Sequence, residues 1–360
     1  MVPFFSLNEL EPLAQAQISR MAFDYIVGGA DDEWTLRENQ LAFERWQLLP
    51  RVLVDVTTRN LATTVLGTPV ALPVLVAPMA FHGLVCAEAE CATARVAAQA
   101  GSIMIASTVS NRSLEEIAAA APDAPRWFQL YVYKDREVTR SMVERAVAAG
   151  YQALCVTVDT PLVGKRRRDM RNSFTLPPGL VMGNLAQAGA EALPTVAHES
   201  GLAAYMAMQR DTAMGWEGID WLRSISPLPV VLKGIMHPDD ARLAVEHGAA
   251  GIVVSNHGGR QLDGAPASLT LLPHIAEAVG DQLEVLFDGG VRRGTDVVKA
   301  LALGARAVLL GRPVLWGLAV GAEAGGQAVF DLLKEELDLA MVLTGSRDVR
   351  EISRSVLWNG

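Results

Sequence analysis

Residues 229–256 read PVVLKGIMHPDDARLAVEHGAAGIVVSN. A short apolar run, Pro229–Gly234, gives way to a stretch of helical period and then to a second apolar run, Gly251–Asn256. Neither run alternates polar with apolar residues. Unbroken hydrophobicity of that kind is what a strand covered on both faces requires, so the two runs belong in a parallel sheet with helices outside it. The same unit recurs on either side. Ala71–Pro78, Ser102–Ser107, Arg126–Tyr131 and Ala153–Asp159 precede it, and Glu284–Gly289 and Ala307–Arg312 come after it. Eight βα units predict an α/β fold, a closed (β/α)8 TIM barrel in preference to an open doubly wound sheet.

No linker or break in composition divides the chain, so residues 1–360 are assigned to one domain. Residues 1–70 read as helices and an extended piece capping the barrel, 71–322 as the barrel and 323–360 as C-terminal helices. The connection after the fourth strand, Thr160 to Trp216, is far longer than usual and rich in Ala, Gly, Met and Pro. It is expected to be a lid over the barrel mouth or partly disordered.

Half of the residues are apolar and a fifth are charged, enough for a large core. A net charge of −9 argues against nucleic acid as a partner, since phosphate backbones demand a broad positive field. Cys86, Cys91 and Cys155 have no zinc or redox spacing, so they read as reduced thiols in a cytoplasmic protein, and no metal is expected. The charge-free stretch Asn60–Ala87 could suggest a membrane span, but Pro69, Pro73 and Pro78 with Gly67 and Gly83 interrupt it, so no membrane association is expected.

The polar residues that end the runs carry the chemistry. In a barrel these ends converge on one mouth, where Ser107, Gln129, Tyr131, Thr157, Asp159, Lys233, Ser255, His257, Asp288 and Arg312 would meet. Gly289-Gly290-Val291-Arg292 follows the seventh strand and Gly311-Arg312-Pro313 the eighth. Glycines admit backbone N–H groups to an anion and arginines add forked charges, so these loops predict a phosphate site. Lys233 is a cation at a strand end, suited either to a Schiff base or to negative charge on a cofactor. The segment Ser255-Asn256-His257-Gly258-Gly259-Arg260-Gln261-Leu262-Asp263 puts an imidazole on a glycine turn three residues before a guanidinium. An imidazole can take a proton from a hydroxyl or its carbon, and an arginine can hold a carboxylate by two parallel hydrogen bonds. Up to this point an isomerase or aldolase that binds a phosphate is also compatible with the pattern.

That segment resembles the signature of the FMN-dependent 2-hydroxy acid oxidases and dehydrogenases. Phe23-Asp24-Tyr25, Asp32-Glu33-Trp34-Thr35, Phe128-Gln129-Leu130-Tyr131, Thr157-Val158-Asp159-Thr160-Pro161, Lys233-Gly234, Asp288–Arg292 and Gly311-Arg312-Pro313 fall in the family's order and spacing. The resemblance implies FMN as cofactor and His257 as catalytic base, with Asp159 orienting it. It implies that Arg166 and Arg260 clamp the substrate carboxylate, with Tyr25 and Tyr131 hydrogen-bonding the substrate. Lys165, Arg167 and Arg168 are left to structure or solvent. Pro78, Met79, Ala80, Ser107, Gln129, Tyr131, Thr157 and Ser255 would surround the flavin ring and ribityl chain, and Lys233 would sit beside the pyrimidine ring, which removes the Schiff base. Asp288 would hold ribityl hydroxyls, and Gly289, Gly290, Val291, Arg292, Gly311 and Arg312 the phosphate.

The implied partners are a small 2-hydroxy acid and oxygen, and the implied assembly is a homotetramer or homo-octamer. Plant-type glycolate oxidases carry threonine at the position of Met79 and tryptophan at that of Val109. Both changes are expected to open apolar space for a substrate methyl, favouring L-lactate over glycolate. Transfer of electrons to a quinone, or oxidation of bulkier mandelate-like acids, stand as alternatives. The segment Gly179–Gly201 lacks the apolar anchor of membrane-bound mandelate dehydrogenases, which points to a soluble oxidase.

Overall fold

The computed structural model describes residues 3–188, 192–280 and 282–358. Eight parallel strands close into a barrel: β1 (Val74–Val76), β2 (Met104–Ala106), β3 (Arg126–Leu130), β4 (Leu154–Thr157), β5 (Val230–Ile235), β6 (Gly251–Val254), β7 (Glu284–Asp288) and β8 (Ala307–Leu310). Each coincides with one of the apolar runs. Pairing of Val308 with Val74 joins the last strand to the first. Strands β3, β4, β6 and β8 are buried along their whole length, which is why their sequences do not alternate.

Leu75, Ile103, Ile105, Trp127, Cys155, Val231, Val253, Leu286 and Leu309 fill the barrel interior. A hairpin, Thr63–Val65 with Thr68–Val70, closes its lower end. Leu66 and Gly67 both have positive φ, 46° and 76°, the twist that a two-residue hairpin turn needs. Val65 and Val70 join the interior cluster. The charge-free stretch Asn60–Ala87 is therefore this plug, β1 and the short turn His82–Leu84. Strand side chains repeat with a period of two, so the residue two places beyond each interior one also points inward. At the C-terminal ends those residues are Ser107, Gln129, Thr157, Lys233, Ser255, Asp288 and Gly311.

Helices Leu7–Gln15, Arg20–Val27 and Trp34–Glu44 form the N-terminal cap. The helix after β8, Arg312–Thr344, is broken at Gly321 and Ala322, so its second part runs back against the first. The expectation of helices throughout 323–360 needs correction beyond Thr344. Gly345, in the left-handed region at φ 68°, ends the helix. Beyond it the chain makes two 3-10 turns and a short strand, Leu357–Trp358, paired with Gln47–Leu48.

In the connection after β4, residues 189–191 lie outside the described residues. The rest carries helices Arg167–Arg171 and Gly201–Gln209 and a 3-10 segment Gly183–Ala188. Phe174, Met182, Leu185 and Met206 are buried, so the described part is packed rather than disordered. The Asn184 carboxamide, itself buried, donates to the carbonyls of Ser107 and Thr108 and accepts from Leu114 N–H, tying the connection to the loop after β2.

Candidate active site

The C-terminal ends of the strands open into a cavity, the kind of concave, partly apolar site in which cofactors and small ligands bind. Tyr25, Pro78, Met79, Ala80, Ser107, Gln129, Tyr131, Thr157, Arg166, Lys233, His257, Arg260, Asp288, Gly289, Gly290, Val291, Arg292, Gly311 and Arg312 all line it. Asp159, which meets His257, does not line it, and neither does Ser255. The serine is fully buried one layer below, where its hydroxyl accepts from Lys233 Nζ (3.0 Å) and from His257 N–H (3.0 Å). It holds the lysine and the histidine loop instead of lining the cavity.

His257 has φ 58°, and Gly258 and Gly259 follow at 64° and 74°. Three successive left-handed residues make a tight turn that a non-glycine residue enters only at some cost, a form of strain common at functional sites. The turn brings Nδ1 to 3.0 and 3.1 Å from the two Asp159 carboxylate oxygens. Burial alone would raise the Asp159 carboxyl, but the charge and hydrogen bond of His257, with Lys233 and Thr160, outweigh it and hold it down at about 2. An ionised carboxylate only accepts, so Nδ1 carries the proton and Nε2 keeps its lone pair. Burial lowers the imidazole's own pKa against the pull of Asp159, so the ring is neutral and basic at neutral pH.

A bulge makes room for this pair. The β5–β6 register shifts between Lys233 and Ile235, and Gly234 takes φ 109°. A Cβ there would stand 2.4 Å from Asp159 Cβ, a separation no side chain tolerates. The bulge follows Lys233, whose ammonium reaches Asp288 Oδ2 (3.0 Å) as well as Ser255. Burial would depress the lysine, but Asp288 and Asp159 raise it above its ordinary value, so it is a permanent cation.

The N-terminal cap is clipped over the mouth by arginines. Helix Arg20–Val27 directs its last carbonyls at the site: Arg260 Nη1 donates to those of Tyr25 (2.8 Å) and Gly28 (2.8 Å), and Arg312 Nε to that of Ile26 (3.0 Å). Cations complement the negative end of a helix. Tyr25 is thereby held in the cavity wall, stacked on Phe174 at 4.1 Å between ring centroids with the Arg260 guanidinium over its ring. Burial raises its hydroxyl to about 12, so it stays a donor. Burial pushes Arg260 and Arg292 down to about 10, and Arg260 is lowered further by Arg166. Buried cations crowded this closely make a site for anions. The rest of the basic run faces elsewhere, with Arg167 on Asp31 and Asp32, and Arg168 on Glu33.

Val109 is buried in the cavity wall. Met79 lines the same cavity, its sulfur 3.5 Å from where a Cβ on Gly311 would stand. The sequence reading missed Thr160 and Val163 and also Leu202 and Met206, which line the cavity from the long connection. Leu202 and Met206 are four apart on one helix, and that spacing was the signal for a shared face.

A family model described as FMN-dependent dehydrogenase matches residues 14–359. An L-lactate oxidase of Nostoc sp. is 56% identical over 98% of this chain and 97% of its own length. Glycolate oxidase 3 of Oryza sativa subsp. indica is 48% identical over 97% and 95%. A crystal structure of mandelate oxidase with (S)-4-hydroxymandelic acid superposes with a TM-score of 0.94 at 43% identity, covering 99% of this chain and 98% of that one. The chain belongs to the FMN-dependent dehydrogenase family, and within it to the 2-hydroxy acid oxidases. Its cofactor is FMN. The residues present fit that group, because Gln129 Nε2, Asp288 Oδ1 and Arg292 Nε are buried at the cavity wall without a partner among the described residues. An amide donor, a carboxylate acceptor and a guanidinium donor left over in this way suit a flavin ring, ribityl hydroxyls and a phosphate.

Proposed function

We propose that the protein oxidises L-lactate in preference to glycolate, yielding the 2-oxo acid, with oxygen as acceptor and hydrogen peroxide as the second product. The observation that carries the reading is the convergence on one cavity of a neutral, carboxylate-oriented imidazole and the guanidiniums of Arg166 and Arg260. Arg166 and Arg260 hold the substrate carboxylate, and Tyr25 and Tyr131 donate hydrogen bonds to its oxygens. His257 Nε2 takes a proton from the hydroxyl-bearing centre, and Asp159 stabilises the imidazolium that results. Bound FMN supplies the two-electron acceptor that no side chain provides. Gln129, Ser107, Thr157, Pro78, Met79 and Ala80 would hold its ring, Asp288 its ribityl chain, and Gly289–Arg292 with Gly311 and Arg312 its phosphate. Lys233, fixed by Ser255, places positive charge at the ring.

The substrate assignment rests on Val109. An isopropyl group in the wall leaves space that a larger ring would fill, and an added methyl buried there is worth about 1–3 kcal/mol, roughly 10- to 200-fold in kcat/KM. The high identity to a protein named L-lactate oxidase supports the same ordering. Peroxide production with glycolate, L-lactate and longer L-2-hydroxy acids, in the parent and in Val109→Trp, tests it. L-Lactate is expected to lead in the parent and the tryptophan to shift preference toward glycolate. A parent that prefers glycolate, or an unshifted variant, would refute the assignment.

A further inference from the structure

We infer that Arg210, which does not line the cavity, is a positioning residue for substrate binding that acts through Tyr131. The proposal rests on the functional reading in which Tyr131 donates to the substrate.

Arg210 follows helix Gly201–Gln209 at the end of the long connection, and only 5% of its surface is exposed. Its backbone is zipped to the segment just beyond β3. An antiparallel bridge joins it to Tyr133, flanked by Lys134 N–H to Gln209 O (2.9 Å) and Asp211 N–H to Val132 O (3.1 Å). That clamp places the guanidinium over the ring of Tyr131, with Cζ 4.5 Å from the centroid. One nitrogen, Nη2, reaches the carbonyl of Thr157 at 3.4 Å, two residues before Asp159. Nε and Nη1 are buried with no hydrogen-bond partner among the described residues.

A structural arginine buried this deeply is normally satisfied by carboxylates or carbonyls, and Arg126 meets those of Ala121, Ala124 and Ala149, with only its Nε unpartnered among the described residues. Arg210 instead has an aromatic face as its main neighbour. A cation over a phenol ring withdraws charge from it and makes the hydroxyl a stronger donor. Burial raises the Tyr131 hydroxyl, and Arg210 is the foremost influence opposing that rise. The same stacking fixes the ring at the mouth, where a stronger, immobile donor would hold an anionic substrate more tightly.

The test is a double-mutant cycle on the FMN-loaded enzyme, reading oxalate Kd from the flavin spectrum, kcat/KM for L-lactate, and the thermal midpoint. Arg210→Met is expected to weaken oxalate binding and kcat/KM by about tenfold in the parent. In a Tyr131→Phe background the same change is expected to cost less than about twofold, because the hydroxyl it acts on is gone. Equal losses in both backgrounds would show a general electrostatic or structural effect and overturn the proposal. Arg210→Lys keeps the charge and tests it even if the methionine variant does not fold. It is expected to bind oxalate within about threefold of the parent, and a loss beyond tenfold with an unchanged thermal midpoint would also overturn the proposal. Tyr131→Phe measured alone distinguishes the underlying reading: parental oxalate binding and kcat/KM there would refute the role of Tyr131 itself.

Discussion

Gly234→Ala is expected to disable the enzyme without touching a residue that meets the substrate. The added methyl would lie 2.4 Å from Asp159 Cβ and 2.6 Å from Cγ. Carbon atoms rest at about 3.5–4.0 Å, so the carboxylate must retreat by about 1 Å. The His257–Asp159 contacts of 3.0 and 3.1 Å would then open to about 4 Å, beyond hydrogen-bonding range. An orienting group misplaced by about 1 Å costs about 100-fold in rate, or about 2.7 kcal/mol at about 1.36 kcal/mol per tenfold. The backbone adds its own penalty, since φ 109° is foreign to alanine, and a strained residue of this kind costs about 1–3 kcal/mol of stability. A control separates the two effects. Gly280 also has positive φ, 52°, but a Cβ there meets nothing within 4 Å, so Gly280→Ala should lower the thermal midpoint and leave turnover intact. Peroxide release at saturating L-lactate, with flavin content measured by absorbance, reads the outcome. A flavin-replete Gly234→Ala enzyme with kcat within threefold of the parent would refute the argument that the bulge exists to admit Asp159.

The imidazole itself is tested by His257→Gln, which should retain flavin while turnover falls by about 10²–10⁴-fold; a loss smaller than tenfold would remove it from the mechanism. The acid limb of the kcat/KM profile should follow His257. Burial places its ionisation below the ordinary 6.5, so activity is full above that pH and falls as pH drops through the lowered value. Asp159 pulls that value upward, so Asp159→Asn should move the limb to still lower pH while kcat falls, and a limb moved upward would contradict the geometry. Lys233→Met should weaken sulfite binding to the flavin by at least about tenfold, because it removes a buried cation; unchanged affinity would place Lys233 away from the ring.

Much of this protein is legible one residue at a time. Strands buried on both faces cannot alternate, so eight unbroken apolar runs read directly as a parallel barrel. Because side chains repeat every two residues along a strand, Gln129, Thr157, Lys233 and Asp288 are fixed as inward-facing once Trp127, Cys155, Val231 and Leu286 are known to fill the interior. Contacts between distant segments have no such local signature. Nothing around Gly234 announces that its missing Cβ makes room for Asp159, 75 positions earlier in the chain. Ser255 reads like any other strand-end polar residue, and only packing shows that it supports Lys233 and His257 from below. Met79 lies against Gly311, 232 positions later in the chain, a contact that its own loop does not announce. Arg210 looks like a surface charge after a helix until the fold lays that helix end against the segment beyond β3. Local periodicity dictates which way a side chain leaves its own strand, whereas what it meets depends on where the rest of the chain returns, and that is decided only when the barrel closes.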